Sequence, residues 1–539
     1  MSLKIAVSGA AAAAAAEYVP VLVADKVASR IAAKDFTLWG KDAEAESSIR
    51  LGWVTSAFDS AALVAPILAI RDEFAKQGVD RFVLCGMGGS SLAPEVITST
   101  AGVELVVLDS TDPDQINDAL SGDLARTAVV VSSKSGSTVE TDSQKRTFEK
   151  AFADAGLPVA ERIVIVTDPG SPMEAAAKAD GYRIFNADPT VGGRYSALTA
   201  FGLVPSGLAG ADIAGLLDQA QSVAEILASD SEQNPGLILG AAMARTALVA
   251  GATADRNWRD KVGVIAAGTE IVGFGDWAEQ LIAESTGKIG KGVLPVVLEP
   301  NSFESENTVN DLLVVRVVAD ATAAKGDEVA ISGPLGAQFL VWEFATVVAS
   351  RLLELNPFDQ PDVESAKVAA RAMLNERAAA TAPVFTDNGV EVRAYNLDLA
   401  GVSTVKGALD ALFASLSQED GYVSVQAYLD RTSIPGAYDL REAVAKRTQR
   451  PTTFGWGPRF LHSTGQYHKG GPRQGVFLQI LAKGEADLAV PGREFTFGEL
   501  IASQAAGDGK VLGDLPRPVL TLTVSDVAND VAGIFAALA

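Results

Sequence analysis

The sequence predicts an α/β protein with two three-layer αβα sandwich domains on parallel sheets, followed by a C-terminal α/β region. First, short apolar runs (RFVLCG, VELVVLD, TAVVVSS and RIVIVTD) alternate with helical segments from about Ser60 onward. This alternation is typical of a parallel sheet with helices on both faces. Second, a similar series follows SEQNPG, with KVGVIAA, VLPVVLEP, LLVVRVVA and DEVAISGP as strand candidates. Third, a chain of 539 residues with 48% apolar composition is long enough for about three domains.

Four segments are predicted along the chain. Residues 1–55 form an N-terminal helical segment, 56–205 the first sandwich, 206–378 the second sandwich, and 379–539 the C-terminal region. The alanine run from Ala10 to Ala16 suits a helix and lacks the basic and leucine-rich parts of a signal peptide. The C-terminal region mixes helix and strand patterns around the glycine-rich stretch FGWGPRFLHSTGQYHKGGPRQG.

Charge and composition exclude several classes of function. The formal net charge is −23, so the bulk surface repels nucleic acid and acidic lipid. No run of about 20 apolar residues predicts a membrane span. A single cysteine, Cys85, rules out an intrachain disulfide and fits a reducing compartment, so we expect a cytoplasmic protein. With only His462 and His468 in the chain, a His-rich metal site is not expected, and any catalytic imidazole must be one of these two.

A serine-rich turn follows one predicted strand in AVVVSSKSGSTVETDSQKRTF, residues 128–148. Serine and threonine are common N-caps, so one interpretation is an ordinary strand-to-helix turn. The other is a phosphate site, because a helix N-terminus offers unpaired N–H groups, and the hydroxyls and Lys134 would add donors. The glycine patterns of Walker and dinucleotide-binding loops are absent from this turn. The segment alone leaves both interpretations open.

A glycine-rich turn, LCGMGGSSLAPE, follows another strand of the same predicted sheet. Its glycines suit either a tight turn or the close approach of a ligand to the backbone around Gly89 and Ser90. Ligands of parallel sheets bind at the carboxyl ends of the strands. Two such turns at one edge therefore favour a shared site.

Three further segments carry polar side chains that suit chemistry. In VGGRYSALTAFGL, Arg194 follows two glycines, which suits a surface turn or a guanidinium held over a ligand whose oxygens reach the N–H of Gly193. In WAEQLIAESTGK, Gln280 and Glu284 share a helical face, and Glu284 is either a solvated helix-end carboxylate or a general base.

The third segment is NPFDQPDVESAKVAARAML, where two prolines bound a helix start. Gln360 precedes the helix and Lys367 lies in its second turn, where a lysine is ordinarily exposed.

Together these segments resemble glucose-6-phosphate isomerases, a family with two sugar isomerase (SIS) domains of αβα sandwich type. GMGGSSLAP is similar to the family turn GxGGSxLGP, SSKSGSTVET to its phosphate-binding segment SKTxTTxET, and VGGRYSALTAFGL to its GGR[FY]S signature. QLIAESTGK is similar to QxxxESxGK, and NPFDQPDVESAK to FDQxGVExxK. The five occur in the family's order.

The resemblance implies a role for each residue. Glu284 would move a proton between C2 and C1 of the open-chain sugar through a cis-enediol(ate), and Arg194 would stabilise the developing oxyanion. Lys367 would assist ring opening together with a histidine. The implied substrate-binding residues are Gly89, Ser90, Ser133, Lys134, Ser135, Thr138, Gly193, Gln280 and Gln360. No metal or cofactor is implied.

The chain departs from the family pattern in two places. Asp362 stands where the family's lysine segment has glycine. The family's ring-opening histidine lies between the glutamate and the lysine, whereas both histidines here come later, in FLHSTGQYHKGGPRQGVFLQILAKGEADLAVP. This displaced segment resembles the isomerase part of transaldolase/glucose-6-phosphate isomerase fusions. His468 follows Gly465 and Gln466 closely, as in the family's NGQH, so it is the preferred histidine and His462 the alternative, a substrate-binding residue.

The predicted function is therefore a glucose-6-phosphate isomerase, an aldose-ketose isomerase of glycolysis and gluconeogenesis. A dual phosphoglucose/phosphomannose isomerase is a close alternative, and a non-catalytic SIS-type sugar-phosphate regulator is another. The presence of Glu284, Arg194 and Lys367 together, without a basic DNA-binding segment, argues against the regulator. A sugar phosphate is the only implied partner, with no nucleic acid or membrane, and family members imply a homodimer.

Overall fold

A computed structural model describes residues 3–252, 256–376, 382–483 and 487–538, without the side chains of 366, 367, 375 and 376. The strands in these ranges are β1 (Lys4–Val7), β2 (Arg81–Gly86), β3 (Val106–Leu108), β4 (Thr127–Ser132), β5 (Ile163–Thr167), β6 (Arg183–Asn186), β7 (Lys261–Ala267), β8 (Leu294–Leu298), β9 (Leu312–Val318), β10 (Val329–Ser332), β11 (Phe385–Asp387), β12 (Val390–Tyr395), β13 (Tyr422–Tyr428), β14 (Thr452–Trp456), β15 (Gly475–Ala482) and β16 (Val519–Val524).

The helices in the same ranges are α1 (Gly9–Ala24), α2 (Val27–Ala32), α3 (Glu44–Ser47), α4 (Ser56–Asp59), α5 (Ala61–Lys76), α6 (Leu92–Ala101), α7 (Pro113–Leu120), α8 (Val139–Asp154), α9 (Val159–Arg162), α10 (Pro172–Asp180), α11 (Ala200–Ala209), α12 (Ile213–Ala228), α13 (Pro235–Arg245), α14 (Phe274–Thr286), α15 (Phe303–Glu306), α16 (Leu335–Leu352), α17 (Val363–Glu376), α18 (Val405–Ala414), α19 (Leu440–Thr448), α20 (Gly465–Gly470), α21 (Phe497–Asp514) and α22 (Val527–Leu538). Short 3₁₀ turns at Gly88–Ser90, Gly193–Tyr195 and Arg459–His462 matter for the site.

The first unit is a five-stranded parallel sheet in the order β3-β2-β4-β5-β6. Successive residues of β2 point to opposite faces, so Phe82 and Leu84 enter one apolar core while Val83 and Cys85 enter another. Helices α5, α6 and α11 supply the first core, and α7, α8 and α10 the second. Because both faces are covered, the central strands are apolar throughout, which is the pattern that predicted them.

The second unit has the order β1-β10-β9-β7-β8. The strands β10, β9, β7 and β8 are parallel, and β1 adds to the edge antiparallel to β10. The prediction of an N-terminal helical segment over residues 1–55 is therefore wrong for Lys4–Val7, which pairs with a strand more than 300 residues away. Helix α16 is buried over almost its entire length, which explains why its sequence is apolar on all faces.

The third unit is a six-stranded mixed sheet in the order β11-β12-β16-β15-β13-β14. Strands β16, β15, β13 and β14 are parallel, while β11 and β12 run antiparallel at one edge. The predicted fold class is confirmed: two parallel-sheet sandwiches and a C-terminal α/β unit. Apart from β1, the three sheets take their strands from residues 56–205, 206–378 and 379–539 respectively.

Charged side chains join the third unit to the second. Arg450 donates to both carboxylate oxygens of Asp311, at 2.9 and 2.7 Å, and Lys261 donates to the same carboxylate at 2.6 Å. Arg441 donates to Glu304 at 2.8 Å. All five side chains are nearly fully buried, and the Arg450–Asp311 and Arg441–Glu304 contacts hold the third unit against the second.

The apolar helices can be compared in length and composition with membrane-spanning helices. Within the described ranges, no helix taken singly has the length and apolarity to cross a bilayer. The segments Gly52–Asp59 and Ala61–Lys76, bent by 52° at their junction, meet the length and composition test only as a pair.

Candidate active site

Two glycine turns pack backbone to backbone at the centre of the site. A Cβ on Gly89 would lie 2.1 Å from the carbonyl oxygen of Gly193, so only glycine fits there. Gly88 has φ +57°, and a Cβ there would lie 2.7 Å from the carbonyl oxygen of His462. The contact brings the turn after β2 against the turn that carries Arg194. It explains why the turn after β2 contains the paired glycines Gly88 and Gly89.

Glu284 lies inside the protein, next to Arg194. Its side chain is 7% exposed, and its Oε2 lies 3.1 Å from Nε of Arg194, which is 3% exposed. The interpretation of Glu284 as a solvated helix-end carboxylate is therefore wrong. One turn earlier on α14, Gln280 places its Nε2 3.4 Å from Oε1 of Glu284 and donates to the carbonyl oxygen of His462 at 2.8 Å. The buried helix thus directs its amide and its carboxylate to one place.

The loop before α17 wraps the Arg194 guanidinium. Arg194 donates to Oε1 of Gln360 at 2.8 Å and to the carbonyl oxygens of Pro357, Phe358 and Asp359 at 3.3 to 3.4 Å. Several acceptors hold the plane of the guanidinium, and one of them is the side chain of Gln360.

Lys288 is a member of the site that the sequence interpretation did not single out. Its ammonium donates to the carbonyl oxygens of Asn356 and Asp359 and to the carboxylate of Asp359, each within 2.7 Å. Burial, with the nearby charge of Arg194, lowers its pKa to about 8. The signal was present in the sequence, because Lys288 is the lysine of the quoted segment QLIAESTGK.

The hydroxyl groups of the serine-rich turn form hydrogen bonds mainly with one another and with the backbone of the turn. Ser133 and Thr138 are joined by a hydroxyl–hydroxyl hydrogen bond of 3.1 Å, and the Ser133 hydroxyl accepts from the N–H of Gly136 at 3.1 Å. Ser135 and Ser137 are exposed and lie 3.1 Å apart, oxygen to oxygen. Thr138 is the N-cap of α8 but makes no side-chain cap. The ordinary capping interpretation is therefore not realised by Thr138.

Lys134 points away from these hydroxyls. Its ammonium donates to Oδ2 of Asp168, which follows the neighbouring strand β5, at 2.6 Å. Burial lowers the pKa of Lys134 and raises that of Asp168, and their contact offsets part of both shifts. Its predicted contact with phosphate has no support in this geometry. Ser90 is buried in the turn beside Gly89.

His462 reaches this site from the third unit. Its Nε2 lies 2.9 Å from Oε1 of Glu140, in the first turn of α8, and its side chain is 14% exposed. The same oxygen accepts from Gln504 at 2.7 Å, and Gln504 in turn accepts from Thr111 at 2.7 Å. A chain of hydrogen bonds therefore fixes the carboxylate that faces the imidazole. Glu140 was not singled out from the sequence, although it lies in the quoted phosphate segment.

His468, the histidine preferred from the sequence, is a core residue of the third unit, which favours the alternative, His462. His468 is 2% exposed, its Nδ1 lies 2.9 Å from the Tyr422 hydroxyl, and its Nε2 lies 3.3 Å from the Ser424 hydroxyl. Burial lowers its pKa well below the usual value, which favours a neutral imidazole. Both ring nitrogens are engaged by hydroxyl groups of the third unit.

A cavity of about 310 Å³ opens between the serine-rich turn and the third unit. Its lining comes from the start of α8, from α17, from the 3₁₀ turn of His462, and from α21. Ser135, Ser137 and Thr138 face Arg371 and His462 across it. Lys367 lies on α17, but its side chain is outside the described part of the chain. The cavity thus joins the predicted phosphate turn to the one histidine that reaches it.

The chain is similar to known proteins in both sequence and fold. The family model described as phosphoglucose isomerase matches residues 72–290. A probable glucose-6-phosphate isomerase of Haloarcula marismortui is 37% identical over 217 residues, which are 40% of this chain and 48% of the relative. A glucose-6-phosphate isomerase of Synechococcus sp. is 30% identical over 356 residues, 54% of this chain and 65% of the relative. The chain thus spans about half to two thirds of the length of these curated relatives.

Solved structures agree in fold. A hypothetical protein from Thermus thermophilus superposes with a TM-score of 0.57 at 24% identity, covering 69% of this chain and all of that one. A glucose-6-phosphate isomerase from Chlamydia trachomatis superposes with a TM-score of 0.51 at 19% identity, covering 65% of this chain and 78% of that one. The family-model match contains the two glycine turns, the serine-rich turn, Arg194 and Glu284. Through this region the chain is similar to the phosphoglucose isomerase family.

Proposed function

We propose that the protein interconverts glucose 6-phosphate and fructose 6-phosphate by proton transfer through a cis-enediol(ate). The observation that carries the proposal is the buried carboxylate of Glu284, held 3.1 Å from the Arg194 guanidinium, with Gln280 and Gln360 beside the pair. The family-model match and the curated relatives support the same reaction.

The pair suits the chemistry of a sugar C–H, which is a weak acid. Glu284 takes the proton from C2 or C1 and returns it to the other carbon, and one carboxylate can reach both carbons from one face of the sugar. The negative charge that develops on the enediolate oxygen is stabilised by Arg194, whose positive charge persists at every physiological pH. Because the loop carbonyls and Gln360 already orient the guanidinium, little reorganisation is needed in the transition state.

Ring opening is assigned to His462 with Glu140. An imidazole must give a proton to the ring oxygen and then exchange one with the C1 hydroxyl, and the Glu140 carboxylate orients the imidazole through its contact with Nε2. Because His462 contacts Glu140 of the same chain, we infer that it acts within one subunit. Lys367 remains the predicted assistant of ring opening. A homodimer stays a proposal from the family alone.

The substrate phosphate is assigned to the serine-rich turn. The first N–H groups of α8 and the exposed hydroxyls of Ser135 and Ser137 face the cavity, where Arg371 supplies positive charge. We expect no cofactor, no nucleic-acid or membrane partner, and a cytoplasmic location. The regulator alternative is less well supported, because sugar-phosphate binding alone needs no buried glutamate–arginine pair.

The test compares purified wild-type protein with Glu284→Gln in a coupled assay of fructose 6-phosphate conversion. Glu279→Gln is the matched control, since Glu279 is also buried on α14. We expect the Glu284→Gln variant to lose at least 10²- to 10⁴-fold in kcat, roughly what general acid–base catalysis contributes. The control should retain activity. Full activity in Glu284→Gln, or no turnover by the wild type, would refute the proposal. Mannose 6-phosphate as substrate separates the dual isomerase.

A further inference from the structure

Five charged side chains meet where the three units touch, and we call them the junction cluster: Arg431, Arg459, Glu95, Asp109 and Asp276. Arg459 lies 2.5 Å from Glu95, 3.3 Å from Asp109 and 3.4 Å from Asp276. Arg431 lies 2.8 Å from Glu95 and 3.6 Å from Asp109. The arginines come from the third unit, Glu95 and Asp109 from the first, and Asp276 from the second. One guanidinium thus bridges all three units.

The arginines and carboxylates of the junction cluster attract one another strongly. Burial raises the pKa of Glu95, but the charges of Arg459 and Arg431 outweigh it and hold that pKa at about 2. Arg459 itself is 8% exposed at its side chain. Removing one member of a buried ion-pair cluster leaves the charge of its partner buried and unpaired, which is energetically costly. Because moving Arg459 out of the cluster has the same cost, the position of its side chain is tightly held.

Arg459 and His462 both contact helix α14, at positions one helical turn apart. They are the first and last residues of one 3₁₀ turn. Arg459 contacts Asp276 on α14, and the carbonyl oxygen of His462 accepts from Gln280 one helical turn further along, at 2.8 Å. Glu284 lies one further turn along the same helix. The turn that carries the imidazole is therefore fastened to the helix that carries the base.

We propose that Arg459 is a positioning residue for ring opening: it holds the His462 turn in register with α14 and so sets the imidazole over the cavity. The inference rests on the proposed function. Arg459 touches no reacting atom and acts through His462. Its loss should therefore slow the opening of the sugar ring before it affects the proton transfer by Glu284.

Ring opening can be measured alone as exchange between the α and β anomers of glucose 6-phosphate, because it breaks and re-forms the ring without moving a C–H proton. We would measure this exchange by proton exchange NMR in the Glu284→Gln background, alone and combined with Arg459→Met. Arg441→Met is the matched control. Arg441 is also buried and joins the third unit to Glu304, but it lies outside the His462 turn.

We expect Glu284→Gln to keep anomer exchange, Arg459→Met to lower it about tenfold or more, and Arg441→Met to leave it unchanged. Equal rates in the two double variants, or loss of exchange in Glu284→Gln alone, would overturn the inference. Should Arg459→Met fail to fold by circular dichroism, Glu95→Gln removes the partner charge instead: lowered exchange supports the inference and wild-type exchange refutes it. Failure of the proposed function shows separately, as absent isomerisation by the wild type.

Discussion

The contact between the two glycine turns supports a quantitative prediction for Gly89→Ala. The new Cβ would lie 2.1 Å from the carbonyl oxygen and 2.5 Å from the carbonyl carbon of Gly193. An ordinary van der Waals contact begins at 3.4 Å, so the turns must separate by at least about 1.3 Å. Both clashing atoms are backbone atoms, so no side-chain rotation relieves the contact.

The separation should move Arg194 away from Glu284, because Arg194 directly follows Gly193. A misplacement of about 1 Å in a catalytic group can cost about 100-fold in rate. We therefore expect kcat/KM to fall about 100-fold, which corresponds to about 2.7 kcal/mol in the activation free energy. Overpacking should also lower the free energy of unfolding by about 1–3 kcal/mol.

The assay is isomerisation of fructose 6-phosphate, with urea unfolding measured in parallel. Gly192→Ala is the control, since a Cβ there meets only Tyr195, at 3.6 Å. A Cβ on Gly193 would meet no atom within 4 Å, so Gly193→Ala tests the substrate side of the same turn and should raise KM. Wild-type kcat/KM in a folded Gly89→Ala protein would refute the reasoning.

Three further predictions follow from burial and hydrogen bonding. His462→Asn should lower kcat about 10²-fold or more with little loss of stability, whereas His468→Asn should mainly lower the free energy of unfolding; the reverse pattern would restore His468 as the catalytic histidine. Burial raises the pKa of Glu343, so its contribution to stability is present below pH 4.5 and is lost as the pH rises. Glu343→Met should therefore gain about 1–3 kcal/mol in urea unfolding at pH 7.5 and less at pH 4.5, and an equal gain at both would contradict this. Lys288, with a pKa near 8, should lose its proton and its hold on Asp359 above that pH, so kcat should fall on the alkaline side, and Lys288→Met should lack this step.

Most of the strands and helices could be predicted from local patterns in the sequence. The apolar strands of the first two units alternate with helices, and their side chains fill cores on both faces of each sheet. Hydrophobic periodicity and the glycine and small polar residues that end each run were therefore enough to predict them. Strand β1 could not be predicted this way. Four residues next to an alanine-rich helix become a strand only because β10 offers an open edge some 300 residues later.

Part of the candidate site could likewise be predicted from local sequence, and part depends on packing. Short segments of sequence were enough to establish the types of group and their local setting: the paired glycines, Arg194, the Gln280–Glu284 face and the serine-rich turn each lie within one such segment. The proposal of His462 rather than His468 rests on the packed fold, because it depends on which ring faces Glu140, 322 positions away. Packing also turned Lys134 toward Asp168 on the neighbouring strand. Spacing along a chain sets which side chains share an element, whereas contacts between distant elements are set by how their apolar faces and buried charges pack.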